Sequence, residues 1–470
     1  MKDIVKIAWR NLWRNKRRTI ITAASIFFAV FFAVVMRSFQ LGTYEHMIKQ
    51  SIESYAGYLQ VQQPDYADDP GIDNAFESSP EMLHEISAVP NVKVAVPRIE
   101  SGALASTGNL SKGVMISGIS PSKEQFMSNP EQKLVHYRIT TSTLQRLKLQ
   151  TSFPEDVFEK LKQNINTSFL NESNLIDDLA LHTTDTAVIH LILKNAVINS
   201  AYLQQKDDGV LVSDRLSKYL KVNVGDSLVL MGQGYQGVSA AGVFPIRGII
   251  KVPAPDLDNK LVYMTIDKAG EFLGLKGQIT SIAINLKNTD KMLATEAELS
   301  NLLSDKNVTV KNWETLIPTL KQQIEGDNKS GIMFLGILYV IIFFGIFGTV
   351  LMMISERKRE FGVMVAIGMK QSKLAVIVTI EMLFLGFMGT VLGMLASVPI
   401  VLYGYYHPFK FTGDMAQMFI EMGFDPLMPL AWFGSYFTIQ GVVILFMVLL
   451  ASYFPVRSIL KLNVIKALHG

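Results

Sequence analysis

The 470-residue sequence contains no cysteine. That excludes disulfides, cysteine-ligated zinc, iron–sulfur clusters and a thiol nucleophile. It also excludes a lipid carried on a cysteine of this chain. Charge is sparse: Asp, Glu, Lys and Arg make up 18% of the residues, against ~25% in soluble chains, while the 49% apolar share is ordinary. The pattern predicts a chain that is part soluble and part buried in lipid. A formal net charge of +3 argues against nucleic acid as a partner. No G-x-x-x-x-G-K-[ST] loop is present, so ATP is not bound in that manner, and neither H-E-x-x-H nor G-x-S-x-G occurs. The seven histidines (His46, His84, His136, His182, His190, His407 and His469) are scattered without ligand spacing. No catalytic, cofactor-binding or metal-ligating set emerges, so the chain is not expected to be an enzyme.

What is present is divided by region. Residues 43–329 hold 27 basic and 34 acidic residues, a net of −7, whereas the remaining 183 hold 17 basic and 7 acidic. Four apolar stretches are long enough to cross a bilayer, which takes ~20 residues: Thr19–Met36, Gly331–Ile354, Leu374–Leu402 and Trp432–Phe454. A fifth, Thr186–Leu203, is interrupted by His190, Lys194, Asn195 and Asn199 and reads as a buried or amphipathic element of the soluble block. The first run is longer than a signal h-region and is followed by Arg37 and Ser38, so it reads as a retained anchor.

Basic residues cluster before the first run, between the second and third, and after the fourth. The positive-inside rule then puts both termini and the 355–373 loop in the cytoplasm. The expected fold class is an α-helical membrane protein with four transmembrane helices and a large α+β extracytoplasmic domain inserted between helices 1 and 2. The expected divisions are an amphipathic N-terminal helix (1–18), spans at 19–42, 330–354, 374–403 and 432–454, and the extracytoplasmic block (43–329). A cytoplasmic helix (355–373), an extracytoplasmic loop (404–431) and a cytoplasmic tail (455–470) complete them.

Within the block, alternation at Tyr58-Leu59-Gln60-Val61-Gln62 predicts a strand. Ser79-Pro80-Glu81 starts a helix that Pro90-Asn91 ends, and Val92–Ile99 and Gly113–Ile119 read as strands. A second α+β block is expected from about Gly209 to Val310. There Ser213 caps a helix at Asp214–Leu220, and strands follow at Ser227–Met231, Phe244–Lys251, Leu261–Met264 and Thr280–Leu286. A further helix is expected over Asp290–Leu303. Pro130–Asp208 reads as a helical, irregular insertion. Asn312–Lys329 predicts one helix running into the second span, either as a mechanical rod or as a plain stalk.

The loop 355–373 carries Glu356, Arg357, Lys358, Arg359 and Glu360, followed by Phe361, Met364, Val365 and Gly368 at helical spacing. A helix with that apolar face needs a partner, either a protein groove or the bilayer surface. Gly362 and Gly368 would allow close approach. Glu381 is the one acid within a span, costly there unless it is functional or paired with a basic group. Gly345, Gly348, Gly386, Gly389 and Gly393 read as sites of tight helix packing.

The string Glu356 to Gly368 resembles the E-R-x-R-E-[IF]-G-x-x-x-A-[IL]-G signature of FtsX-like permeases, the membrane subunits of mechanotransmission ABC transporters. Ala8-Trp9-Arg10-Asn11-Leu12-Trp13-Arg14-Asn15-Lys16-Arg17-Arg18-Thr19 resembles the family's opening A-x-R-N-[LI]-x-R-x-K-x-R-T. Pro455-Val456-Arg457 through Val464-Ile465-Lys466-Ala467-Leu468 resembles its closing motif, with Val464 where proline is usual. Gly57-Tyr58-Leu59-Gln60-Val61 is similar to a strand of the LolC/LolE lipoprotein-release branch, whereas the 130–208 region is longer than is usual there.

The resemblance implies a permease subunit with no cofactor of its own, in the bacterial inner membrane. ATP and Mg would sit on a partner, a cytoplasmic ABC ATPase dimer docked on Glu356, Arg357, Arg359, Glu360, Phe361, Gly362, Met364, Val365 and Gly368. A second permease copy or homologue, membrane lipid and a periplasmic lipoprotein cargo would be the other partners. Three functions fit the family: lipoprotein release, MacB-like efflux of peptides or toxins, and FtsX-like activation of a cell-wall hydrolase. Release is favoured here, because the far-side block is large and Met1 stands only 18 residues before the first span, with no ATPase between.

Overall fold

The computed structural model describes residues 2–14, 16–67, 71–149, 153–179, 181, 186–411, 413–421 and 426–461. His182, His469 and the Val464–Leu468 part of the closing motif lie outside them. The chain divides into two compact units: residues 1–46, 319–413 and 426–470 form the first, and residues 47–318 and 414–425 the second.

The first unit is helical. Its helices are α1 (Lys2–Arg14), α2 (Lys16–Ile48), α3 (Pro318–Glu356), α4 (Lys358–Ala366), α5 (Gln371–Tyr406) and α6 (Ser435–Leu460). Among the described residues, four helices are long and apolar enough to cross a membrane; they contain the first three runs expected from sequence and the fourth from Ser435 onward. α5 is the central one, with 56% of its most apolar window buried inside the chain against 22% for α3.

Glycine sets how closely α5 is approached. A Cβ on Gly389 would lie 2.9 Å from the Ala23 carbonyl oxygen of α2, and one on Gly393 2.7 Å from that of Phe27. Gly386 faces Val448 of α6. Gly345 and Gly348 differ from expectation: a Cβ on either meets nothing within 4 Å, because they lie on α3, the span this chain covers least. Beyond the apolar segments, α2 and α3 are joined by polar groups. Tyr44 donates to Asp327 (2.6 Å) and Arg37 to Asn328 (2.8 Å). Tyr339 on α3 donates to Gln440 on α6.

The second unit is built on one mixed sheet of nine strands: β1 (Leu59–Gln62), β2 (Val92–Ser106), β3 (Ser111–Ile119), β4 (Val210–Ser213), β5 (Ser227–Gln233), β6 (Ser239–Ile250), β7 (Leu261–Thr265), β8 (Ser281–Leu286) and β9 (Thr309–Asn312). Their order is β9-β1-β8-β2-β3-β7-β4-β6-β5. β2 also pairs with β5 (Ala103 opposite Gly232, Ser106 opposite Val229), which closes six strands into a ring. The two α+β blocks expected from sequence are therefore one sheet: β8 pairs with β1 and β2, β5 pairs with β2, and β7 runs parallel to β3 from Met115/Leu261 to Ile119/Thr265. Gly57, at φ +79°, ends the π-helical turn Lys49–Ala56, and a Cβ there would press 2.9 Å against the Ile284 backbone.

Local signals explain most of the helices. Ser79 accepts from the Met82 amide (3.2 Å) with Pro80 in the first turn, so the helix Pro80–Ala88 starts where predicted. Ser213 does not cap Asp214–Leu220. The buried Asp258 carboxylate does so instead, accepting from Asp214 and Arg215 N–H (3.3 Å each), since a carboxylate is the stronger acceptor. The expected single helix Asn312–Lys329 is broken. Asn312 caps one turn, Trp313–Leu316, and Ile317 leaves helical geometry (φ −127°, ψ 67°) because the ring of Pro318 disfavours it there. α3 then restarts at Pro318.

Among its described residues, the insertion holds four short α-helices, Thr141–Lys148, Glu155–Gln163, Glu172–Asp178 and Thr186–Ala196. They close on a separate core that includes Leu147, Leu161, Phe169 and Ile192. The fifth apolar run is thus an 11-residue helix with one buried face. Arg138 anchors the insertion by donating to Asp214 (2.6 Å) and Ser217 (2.8 Å) beside β4.

Candidate coupling site

α1 is amphipathic. Ala8 and Leu12 are buried, while Trp9 and Trp13 are exposed, with Trp9 stacked edge-on against Phe384 of α5 (5.6 Å). That packing turns Asn11 toward α5, where its Nδ2 donates to Glu381 Oε1 (2.7 Å). The other carboxylate oxygen accepts from Arg357 Nη1 (2.7 Å), at the junction of α3 and α4. Arg357 also reaches Glu360 (3.3 Å) and lies 5.0 Å from the centre of the Phe361 ring. Glu360 is shared with Arg14 of α1. Burial works against its charge, but the two arginines outweigh that and hold the carboxyl below its ordinary range.

Three stretches far apart in sequence therefore meet at one buried ion pair: side-chain exposure is 1% for Glu381 and 7% for Arg357. A buried pair is stable only when its remaining hydrogen-bonding capacity is met, and Asn11 and Glu360 supply that. Glu381 has a basic partner within the chain. Asn11, the third member, stands in the opening motif but was given no role from sequence, although its spacing from Ala8 and Leu12 puts it on the same helix face.

The loop residues split into two faces. Phe361 (1% exposed) and Gly362 are buried, and Met364 and Val365 pack against the helical core. The apolar face predicted to need a partner thus finds one within this chain. The outward face carries Glu356, Lys358, Arg359, Val363 (46% exposed) and Ile367 (80% exposed). Gly368 ends α4 at φ +102°, a conformation favouring glycine, and lets Met369 N–H reach the Met364 carbonyl (3.0 Å). Among the described residues no three His, Asp or Glu side chains gather as a metal would require.

Residues 332–464 match the FtsX-like permease C-terminal model. The match spans α4, α5 and the described part of α6, and with them Arg357, Glu360 and Glu381. Among curated relatives, an uncharacterised ABC transporter permease of Methanocaldococcus jannaschii is 26% identical over 48% of this chain and 55% of its own length. The ABC transporter permease YtrF of Bacillus subtilis is 32% identical over 33% of this chain and 36% of its own. The lipoprotein-releasing system transmembrane protein LolC of Neisseria meningitidis is 20% identical over 40% of this chain and 47% of its own. The alignments thus cover roughly a third to just over half of those relatives' lengths.

Among solved structures, the periplasmic region of MacB from Actinobacillus actinomycetemcomitans superposes with a TM-score of 0.31 at 13% identity, covering 59% of this chain and 98% of that one. The extracellular domain of YknZ from Gram-positive bacteria gives 0.28 at 10%, over 54% and 99%. By its sequence matches, the chain carries an FtsX-like permease domain over residues 332–464 and has ABC transporter permeases among its relatives.

Proposed function

We propose that this chain is the permease subunit of a mechanotransmission ABC transporter that releases lipoproteins from the inner membrane. A separate cytoplasmic ATPase dimer, holding ATP and Mg, would dock on α4. The observation that carries this reading is the two-faced α4. Its inner face is locked to α1 and α5 through Arg357, Glu360 and Phe361, while Val363, Ile367, Lys358 and Arg359 face outward. A push on the outward face would move the spans and not merely deform a loop. Basic residues beside α4 and at both ends of the chain support a cytoplasmic placement of this face. The sparsely covered α3, with Ile337, Ile341 and Phe344 exposed, suits a second permease copy or lipid. Similarity to LolC favours release over efflux or hydrolase activation.

The test is depletion of the protein followed by membrane fractionation. Mature lipoproteins should accumulate in the inner membrane, and Ile367→Asp should reproduce this with normal insertion. Unchanged sorting after depletion would overturn release. Normal sorting in Ile367→Asp would overturn docking on this face. Phe361→Asp is the poorer test, because Phe361 is a core residue and its loss would unseat α4.

A further inference from the structure

Three arcs run along α1. A helix turns about 100° per residue, so positions four apart fall on one side. Ala8 and Leu12 form a buried arc. Val5, Trp9 and Trp13 form a second arc, and all three are exposed. Lys6, Arg10 and Arg14, each one residue further round, form a third arc, exposed as well. The apolar arc lies between the buried arc and the basic one. Ile7, also exposed, falls outside it. Arg14 is paired with Glu360, whereas Lys6 and Arg10 have no ion pair among the described residues.

The place of α1 in the chain decides what covers this surface. α2 follows at Lys16, and its apolar run begins at Thr19, with Ile20 and Ile21 exposed in the first turn of that run. α1 therefore stands at the end of a membrane-crossing helix, where hydrocarbon gives way to water. Trp9 is held there by its edge-on contact with Phe384. Tryptophan rings favour headgroup depth, and lysine and arginine beside them reach the lipid phosphates. Residues 1–18 hold seven basic residues against one acid, Asp3, so the charge that complements this surface is negative. A second copy meeting it two-fold would set the same basic row against itself.

We propose that α1 binds anionic phospholipid, with the headgroup phosphate against Lys6 and Arg10 and with Val5, Trp9 and Trp13 among the first acyl carbons. The same helix reaches Glu381 through Asn11 and Glu360 through Arg14. Lipid held on α1 thus braces the coupling site from the bilayer side. The assignment goes beyond the permease reading: it needs α2 in a membrane, and no particular cargo or ATPase.

The experiment uses the full chain in vesicles of phosphatidylcholine with about one phosphatidylglycerol in five lipids. Bromine on the acyl chains quenches nearby tryptophan. In one set the phosphatidylglycerol is brominated, and in the other an equal number of phosphatidylcholine molecules are. Trp432→Phe, present throughout, removes the tryptophan next to Tyr405 at the opposite end of α5, and Trp313, buried in the sheet unit, gives a constant background. Brominated phosphatidylglycerol should quench at least about twofold more than brominated phosphatidylcholine, because each basic side chain enriches anionic lipid beside it. Lys6→Gln with Arg10→Gln, both on exposed positions, should abolish the difference. Lys358→Gln with Arg359→Gln, an equal loss of charge on α4, should keep it. No quenching by either lipid would overturn the proposal, since the apolar arc would then lie outside the bilayer. Equal quenching by the two lipids would overturn anionic selectivity. A difference that survives Lys6→Gln with Arg10→Gln, or that vanishes equally with the α4 pair, would overturn the assignment to this arc.

Discussion

Glu381 allows a quantitative test of the buried pair. In Glu381→Ala, the Arg357 guanidinium keeps its burial and loses the carboxylate at 2.7 Å, and Asn11 loses its acceptor. Removing one partner of a buried pair costs about 3–5 kcal/mol, because the other charge stays buried. Against overall stabilities of about 5–15 kcal/mol, that is a large fraction. Arg357→Ala leaves the converse orphan and should cost a similar amount. The double variant leaves no unpaired charge, so its cost should fall short of the sum by about 2 kcal/mol, the scale of a charged hydrogen bond.

Equilibrium unfolding in mixed micelles reads the three values. A second readout is position: since the chain has no cysteine, Trp9→Cys with Phe384→Cys reports whether α1 stays seated. Crosslinking should be efficient in the parent and fall sharply with Glu381→Ala. Additive energies, or a Glu381→Ala cost below about 1 kcal/mol with crosslinking unchanged, would refute the reasoning, since neither fits an orphaned buried charge.

Other perturbations follow from the same packing. Burial, with Asp214 adding its charge, pushes the Asp258 carboxyl from 3.8 up to about 6. The folded state therefore holds a proton that the unfolded state has released, and stability from this group falls as pH rises from about 4 to 6. The effect is up to about 3 kcal/mol, and Asp258→Asn should flatten that part of the stability profile; parallel profiles would exclude it. Gly389→Leu should cost at least about 1–3 kcal/mol in the thermal stability of the purified protein, because α2 backbone occupies the space, whereas Gly345→Leu should be neutral for the isolated chain. Arg138→Ala should speed amide exchange across Thr141–Lys148 and leave β4 protected, as hydrogen-exchange mass spectrometry would show.

Spans were legible because length and hydropathy are local properties, and Thr186–Leu203 was rejected as a span because polar residues interrupt it. Helix starts were legible at Ser79, where the cap and its proline are neighbours in sequence. Ser213 misled because the better acceptor, Asp258, lies 44 residues away from the amide of Asp214 that it caps. Two α+β blocks were read where one sheet exists, since pairing between β3 and β7 leaves no mark in either strand alone. Around Glu381, the apolar face of α4 was legible from the spacing of Phe361, Met364 and Val365, but what covers it was not, because the helices that meet it come from distant parts of the sequence.

The insertion between Pro130 and Asp208 departs from the sheet and returns to it with a core of its own and a short ion-paired clasp at Arg138. Such a piece is exchangeable. Its outward loops can diversify, lengthen or be replaced wholesale while the ring of strands and the helices of the membrane unit keep their sequence constraints. Lineages could retune what the sheet unit meets by editing this cassette alone, leaving the motifs of the helical unit untouched.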